Sequence, residues 1–202
     1  ETGAQATNPS NKGTGVSTGD FAPMPGSCVV SEDLTRVLAP GADEIGWFAQ
    51  QGRVPLGYLG DAEKTARTFP EIGGVRYSVP GDRARIRSDG SFEVLGRDSV
   101  TINSGGEKIF AEEVEAAVKQ HPDVYDAVVA GRPSERWGQA VVAIVQLREG
   151  ASATPEDLLA EAGKHLSRYK LPKAFVFRDS IQRSPSGKAD YRWAKQVVGP
   201  AA

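Results

Sequence analysis

The chain has 202 residues, 24 Lys and Arg against 26 Asp and Glu for a net charge of −2, and 39% hydrophobic and 25% charged residues. That balance is the one typical of globular chains, so fibrous, collagen-like and disordered readings fall away, and a chain with no basic excess lacks the electrostatic term that drives nucleic-acid binding. One cysteine, Cys28, and two separated histidines, His121 and His165, allow no intrachain disulfide and no Cys/His zinc site, which fits a reducing, cytosolic setting.

Residues 4–27 are rich in Gly, Pro, Ser, Thr and Asn without period, and read as loop. Met24 is the only methionine and the chain opens on Glu1, Thr2 and Gly3, which predicts a piece of a longer protein. From Cys28 to Leu95, short β-prone runs (CVV, DEIGWFA, GGVRYSV, RARIRS, SFEVLG) cut by Gly and Pro predict a small antiparallel sheet or barrel. Within it, GDAEKTARTF places Ala62, Ala66 and Phe69 at helical spacing and predicts a short surface helix. The texture changes near 97–100, where longer amphipathic segments begin to alternate with apolar strands.

In FAEEVEAAVKQHP, Phe110, Val114, Ala117 and Val118 fall on one face, acids sit at the start, Lys119 and His121 near the end, and Pro122 stops the helix. VYDAVVAG and AVVAIVQL read as buried strands. The run from Ala140 to Val145 is the longest apolar stretch, far short of the roughly 20 residues of a membrane helix, so no transmembrane segment is expected. Thr154, Pro155 and Asp157 supply an N-cap, a first-turn proline and a capping acid to a helix whose predicted stripe is Leu158, Leu159, Ala162 and Leu166. AFVF is a strand, SPSGKADY a loop and DYRWAKQVV a terminal amphipathic helix, giving the order βαββαβα in a compact α+β domain of about a hundred residues.

The obvious nucleotide and nucleophile patterns fail. For Gly187–Lys188 to close a phosphate loop, Gln182 would have to be glycine and Ala189 a hydroxyl residue. GTGVSTG has Thr18 where the dinucleotide fingerprint needs its last glycine, and no GxSxG elbow occurs. What remains is a set of polar groups in Gly-rich surroundings: Pro80 to Asp82, Gly96 and Arg97, Ser104 to Glu107, and Ser186 to Lys188.

These groups lie in a series, ETG, GYLGDAEKT, PGDRA, GRDSVTINSGGEKIFAEEVE, ERWGQ, RYKLPK and SPSGKADY, that resembles the adenylate-forming acyl-CoA synthetases in order and spacing over nearly the whole chain. Actinobacterial fatty-acyl or steroid-side-chain CoA ligases look most similar. The resemblance implies an α/β (α+β) fold in which 1–96 is the C-terminal β-barrel part of the large AMP-binding domain, 97–99 a hinge and 100–202 the mobile C-terminal domain. It implies a ligase that uses ATP, Mg2+ and CoA: a carboxylic acid, fatty or steroid-side-chain, attacks ATP to give acyl adenylate and diphosphate, and CoA then displaces AMP. A chain of this extent is expected to be inactive alone, with no nucleic-acid partner, and to belong to a cytoplasmic enzyme or one at the membrane periphery.

By the same resemblance, Lys188 is the lysine of adenylation, where a compact ammonium can pair with carboxylate and α-phosphate oxygens. Asp82 accepts hydrogen bonds from the ribose hydroxyls, and Arg97 contacts the nucleotide. Gly105 and Gly106, followed by Glu107, line the passage of the pantetheine arm, where a missing Cβ lets a thin ligand pass. Trp137 and Tyr169 help hold CoA, and Lys173 meets its phosphates. Ser99 is the hinge position, where the family usually carries Asp or Lys, and Glu1 is the magnesium ligand. Pro80 and Ala111 stand where the family commonly has Thr and Pro. From the residues alone, Lys188 reads as a solvated loop lysine, Asp82 as a turn former, Arg97 as a surface salt-bridge partner, Gly105–Gly106 as a plain hairpin turn, and Trp137 and Tyr169 as core or rim packing. Two other functions stay open: an acyl-AMP ligase that loads a carrier protein, and a non-catalytic nucleotide- or CoA-binding module.

Overall fold

A computed structural model describes residues 20–199, whose contacts divide between Ser99 and Val100 into two units. The first unit carries β1 (Asp20–Phe21), β2 (Ser27–Val30), β3 (Gly46–Gln51), α1 (Ala62–Thr68), β4 (Glu71–Ile72), β5 (Val75–Ser78), β6 (Asp82–Ile86) and β7 (Phe92–Arg97). All strand pairs are antiparallel, in the order β1-β7-β6-β3-β5-β4, with β2 on the other edge of β3. Successive strand residues point to opposite faces, so Val29 packs with Leu38, Ala84, Ile86 and Phe92, while its neighbour Val30 packs with Ala49, Ile72, Tyr77 and Val79. Arg83, on β6 between Asp82 and Ala84, is buried over the Trp47 ring at 4.2 Å and donates to the Ile45 carbonyl at 3.3 Å.

The barrel alternative is corrected here, because the sheet is open among the described residues. Its end strands β1 and β4 have two residues each and do not pair with one another, whereas closure needs a continuous ladder with consistent stagger. α1 is the expected surface helix. Asp61 caps it by accepting the Lys64 N–H at 2.9 Å, and the helix buries no residue.

The second unit carries β8 (Ile102–Ser104), β9 (Glu107–Ile109), α2 (Ala111–Val118), β10 (Val124–Ser134), β11 (Gly138–Leu147), α3 (Pro155–Ala162), β12 (Ala174–Phe177) and α4 (Tyr191–Val198). The expected order holds, except that its first strand is the hairpin β8–β9. β11 is the centre of the sheet: β10 runs antiparallel along one edge, and β12 (parallel) and β8 share the other. Val141, Ala143 and Val145 face α2 and α3, whereas Val142 and Ile144 face α4. A strand covered on both faces is apolar at every position, which is why Ala140 to Val145 shows no alternation. Each fully buried side chain such as Ile144 stabilises the unit by roughly 1.5–3 kcal/mol.

α2 ends at Val118, short of His121, with Lys119 as its C-cap. α3 has the predicted capping box: the Thr154 side chain takes the Asp157 N–H at 3.2 Å, and the Asp157 carboxylate takes the Thr154 N–H at 2.9 Å. Its stripe is Leu158, Ala162 and Leu166. Leu159 is exposed, because one step along a helix rotates a side chain by about 100° and carries it off the face set by the i, i+4 pairs.

Candidate functional site

The first unit pairs two of the predicted residues. β6 and β7 bring Asp82 opposite Arg97, whose Nε donates to Asp82 Oδ1 at 3.3 Å, and the Asp98 N–H closes the corner on the Gly81 carbonyl at 3.1 Å. Gly81, Arg97, Asp98 and Ser99 help line a pocket of about 620 Å³, together with Trp47, Tyr58, Lys64, Arg67 and Phe69. The Lys64 ammonium lies 4.0 Å over the Tyr58 ring, and Tyr58 and Phe69 stack at 5.6 Å. The sequence reading assigned no role to Lys64 or Arg67. Their i, i+3 spacing on α1 was the available signal, since it puts both cations on one helix face. Ser99 sits in the 3-10 turn Asp98–Val100.

The second unit brings together four residues of the predicted coenzyme set, Gly105, Gly106, Trp137 and Lys173. Gly105 and Gly106 form the two-residue turn of the β8–β9 hairpin with φ of +61° and +87°, the left-handed pair that favours glycine. Trp137 ends the three-residue loop between β10 and β11, and its carbonyl accepts the Gly105 N–H at 2.8 Å. A Cβ on Gly105 would lie 3.3 Å from the Trp137 ring, whereas nothing lies within 4 Å of one on Gly106. The indole is 37% exposed, with the Arg136 guanidinium 4.6 Å and the Lys173 ammonium 5.8 Å from its centroid. Arg136 was missed by the sequence reading, although it adjoins the tryptophan in ERWGQ. A glycine turn, an open aromatic face and two cations suit a thin polar chain that ends in phosphate.

The remaining residues stand apart from that cluster. Glu107 is exposed opposite Ser104 in the hairpin, and the exposed Tyr169 ring has Lys170, not Trp137, as its ring partner at 5.8 Å. Lys170 itself is held by both Glu113 carboxylate oxygens at 2.7 and 2.8 Å. Lys188 is exposed at the tip of the loop before α4; its N–H donates to Ser184 Oγ at 3.1 Å and its carbonyl accepts the Ser184 N–H at 2.8 Å. Asp190 then caps α4 by taking the Arg192 and Trp193 N–H groups at 3.0 Å. Glu1, the predicted magnesium ligand, lies outside the described residues. No cluster of His, Cys, Asp and Glu among the described residues could hold a metal ion. Burial pushes the Cys28 thiol up to about 11, which leaves no thiolate for nucleophilic chemistry near neutral pH. No helix among the described residues is long and apolar enough to cross a membrane.

A family profile described as "AMP-binding enzyme C-terminal domain" matches residues 113–188. The medium-chain acyl-CoA ligase Mig of Mycobacterium avium is 63% identical over 196 residues, which are 97% of this chain and 36% of that protein. The 3-oxocholest-4-en-26-oate–CoA ligase of Rhodococcus rhodochrous is 47% identical over 199 residues, 98% of this chain and 36% of that protein. Among solved structures, the amide bond synthetase McbA of Marinactinospora thermotolerans aligns with a TM-score of 0.75 at 28% identity, over 93% of this chain and 36% of that one. The o-succinylbenzoate CoA synthetase MenE of Bacillus subtilis, in complex with its acyl-adenylate intermediate, aligns with a TM-score of 0.73 at 26% identity, over 89% and 35%. The chain spans about a third of the length of the curated relatives it matches. The motif series, the mixed α/β architecture and these matches agree that residues 113–188 carry an AMP-binding enzyme C-terminal domain and that the chain is similar along its length to the C-terminal third of acyl-CoA ligases.

Proposed function

We propose that this chain is the C-terminal portion of an ATP-dependent acyl-CoA synthetase that converts a medium- or long-chain fatty acid, or a steroid-side-chain acid, to its CoA thioester through an acyl adenylate. The observation that carries the reading is the Gly105–Gly106 turn laid against the exposed Trp137 ring between two cations. Identity of 63% to a medium-chain acyl-CoA ligase supports it and points to the acid. In this reading residues 97–99 are the hinge between the large domain and the C-terminal domain, Asp82 holds the ribose and Arg97 the nucleotide phosphate side. Gly105, Gly106, Glu107, Trp137, Tyr169 and Lys173 hold CoA, and Lys188 serves adenylation. Mg2+, whose expected ligand Glu1 lies outside the described residues, would neutralise the triphosphate, and the cytoplasm supplies ATP and CoA.

The test uses the full ligase with ATP, CoA and a panel of acids. Acyl-CoA and AMP are expected, and a protein that forms neither acyl adenylate nor thioester would remove the proposal. A carrier-bound phosphopantetheine acceptor, run beside free CoA, separates the carrier-loading alternative. Gly105→Ala should act on one half of the reaction only. The new Cβ meets the Trp137 ring at a backbone angle that L residues rarely adopt, so the KM for CoA rises about tenfold, equivalent to roughly 1.4 kcal/mol. Diphosphate release changes less than thioester formation; equal losses in both would disconnect the turn from CoA.

A further inference from the structure

The loop that carries Lys188 is fastened to the sheet by a residue 57 positions earlier. Tyr125 is an extra residue in β10, a bulge opposite β11, and beyond it Asp126 shares a strand face with Val128 and Ala130, the face that packs on α4. Asp126 receives both prongs of the Arg183 guanidinium, with Nε to Oδ2 at 2.7 Å and Nη2 to Oδ1 at 2.6 Å. The third guanidinium nitrogen, Nη1, donates to the Gly187 carbonyl at 3.0 Å, one residue before Lys188. Around it the loop closes on itself: the Gly187 N–H donates to the Ser184 carbonyl at 2.8 Å, Ser184 and Lys188 exchange the two bonds already described, and Arg183 bridges Ala189.

We infer that Asp126 and Arg183 are positioning residues for the first half-reaction, holding the Gly187 carbonyl so that the Lys188 side chain leaves the loop from a set place and direction. The inference rests on the reading of Lys188 as the adenylation lysine. Exposed ion pairs usually contribute little, but this one is bidentate and the Asp126 side chain is only 14% exposed. Its geometry requires the arginine fork. A lysine keeps the charge but, with one nitrogen in place of three in a plane, loses either the second carboxylate bond or the bond to Gly187. Neither Asp126 nor Arg183 needs to touch substrate. Their effect passes through the placement of one ammonium, where a shift of about 1 Å costs up to about 10²-fold in rate.

The test compares Asp126→Asn, Asp126→Glu, Arg183→Lys and Lys188→Ala in the full ligase. Asp126→Asn and Arg183→Lys should lower kcat for diphosphate release by about tenfold to 10²-fold, with the KM for ATP and the conversion of supplied acyl adenylate to thioester within about twofold. Asp126→Glu, which keeps the carboxylate, should recover most of the rate. A second readout on the 202-residue chain needs no chemistry: Asp126→Asn should speed hydrogen exchange of the Gly187 and Lys188 amides while leaving those of α4 unchanged. Wild-type kcat in Arg183→Lys or Asp126→Asn beside an inactive Lys188→Ala would overturn the inference. So would unchanged amide exchange, or a parallel loss of both half-reactions together with melting temperature. Full activity of Lys188→Ala would instead overturn the reading of Lys188, with the amide exchange still reporting on the clamp.

Discussion

Replacing Lys188 by alanine is expected to lower acyl-adenylate formation in the full ligase by about 10²- to 10³-fold, the scale for removing one preorganised charge from a developing anion. As the acid's carboxylate approaches the α-phosphate, two anionic groups converge, and an ammonium placed between them stabilises the transition state more than either separated reactant. In the proposed reading the loop presents Lys188 for that approach. Its backbone is tied at Ser184, Gly187 and Lys188, while the lysine side chain is exposed and its Nζ has no ion-pair or hydrogen-bond partner among the described residues. Thioester formation from supplied acyl adenylate should survive the change, because the reading assigns Lys188 to the attack on the α-phosphate, whereas in the second step the CoA thiol attacks the acyl carbonyl and AMP leaves. Lys188→Arg keeps the charge but spreads it over a planar fork, and is expected to restore only part of the rate. Diphosphate release by Lys188→Ala at the wild-type rate would leave the residue an ordinary surface lysine.

The largest effect on stability is expected from Glu115→Gln, and it should depend on pH. Glu115 is buried on α2, accepts the Val129 N–H from the free edge of β10 at 2.9 Å, and lies 3.4 Å from the Tyr191 hydroxyl at the start of α4. Burial raises its carboxyl from 4.5 to about 7, with the Glu112 charge adding to the rise, while the Val129 and Tyr191 hydrogen bonds and Lys119 act against it. Burial, with Glu115 beside it, pushes the Tyr191 phenol up as well, so that group stays protonated throughout. A carboxyl held above its unfolded value binds its proton more tightly in the native state. Its contribution is therefore complete below about pH 4.5 and is lost as the pH rises through 7. At roughly 1.4 kcal/mol per unit, the loss is about 3 kcal/mol.

Glutamine keeps an acceptor for the Val129 N–H and has no charge to bury. The melting temperature of Glu115→Gln should match wild type near pH 5 and exceed it by on the order of 10 °C at pH 8. Thermal melts of both proteins at intervals between pH 5 and 8 provide the measurement. A difference that is flat with pH, or one that shrinks as pH rises, would show that Glu115 is ionised in the folded state throughout.

Much of the second unit is legible from its residues because the signals are local. The capping box of α3 spans four residues, the apolar face of α2 follows from spacing within one helix, and the unbroken run from Ala140 to Val145 announces a strand covered on both sides. The motif series likewise places Lys188 on a loop and Gly105–Gly106 at a turn, whereas the meeting of Asp82 and Arg97, 15 positions apart, follows from the pairing of β6 with β7. The two-residue strands β1 and β4 are too short to carry a pattern, and the exposure of Leu159 depends on which side of α3 meets the sheet. An open sheet and a closed barrel have the same alternating strands, so the difference appears only in which edges pair.

The groups that complete the candidate site are joined across long stretches of chain. Trp137 meets a turn 32 positions before it, Asp126 takes an arginine 57 positions after it, and Glu115 and Tyr191 are 76 apart. Periodicity and capping are written in neighbouring residues, because they arise from backbone geometry over a turn or two of chain. These partnerships arise from how the strands register and which helix covers which face. Without the bulge at Tyr125, or with a one-residue slip of β10, Asp126 would fall on the opposite face with no change in composition, and only the packed sheet settles which side it takes.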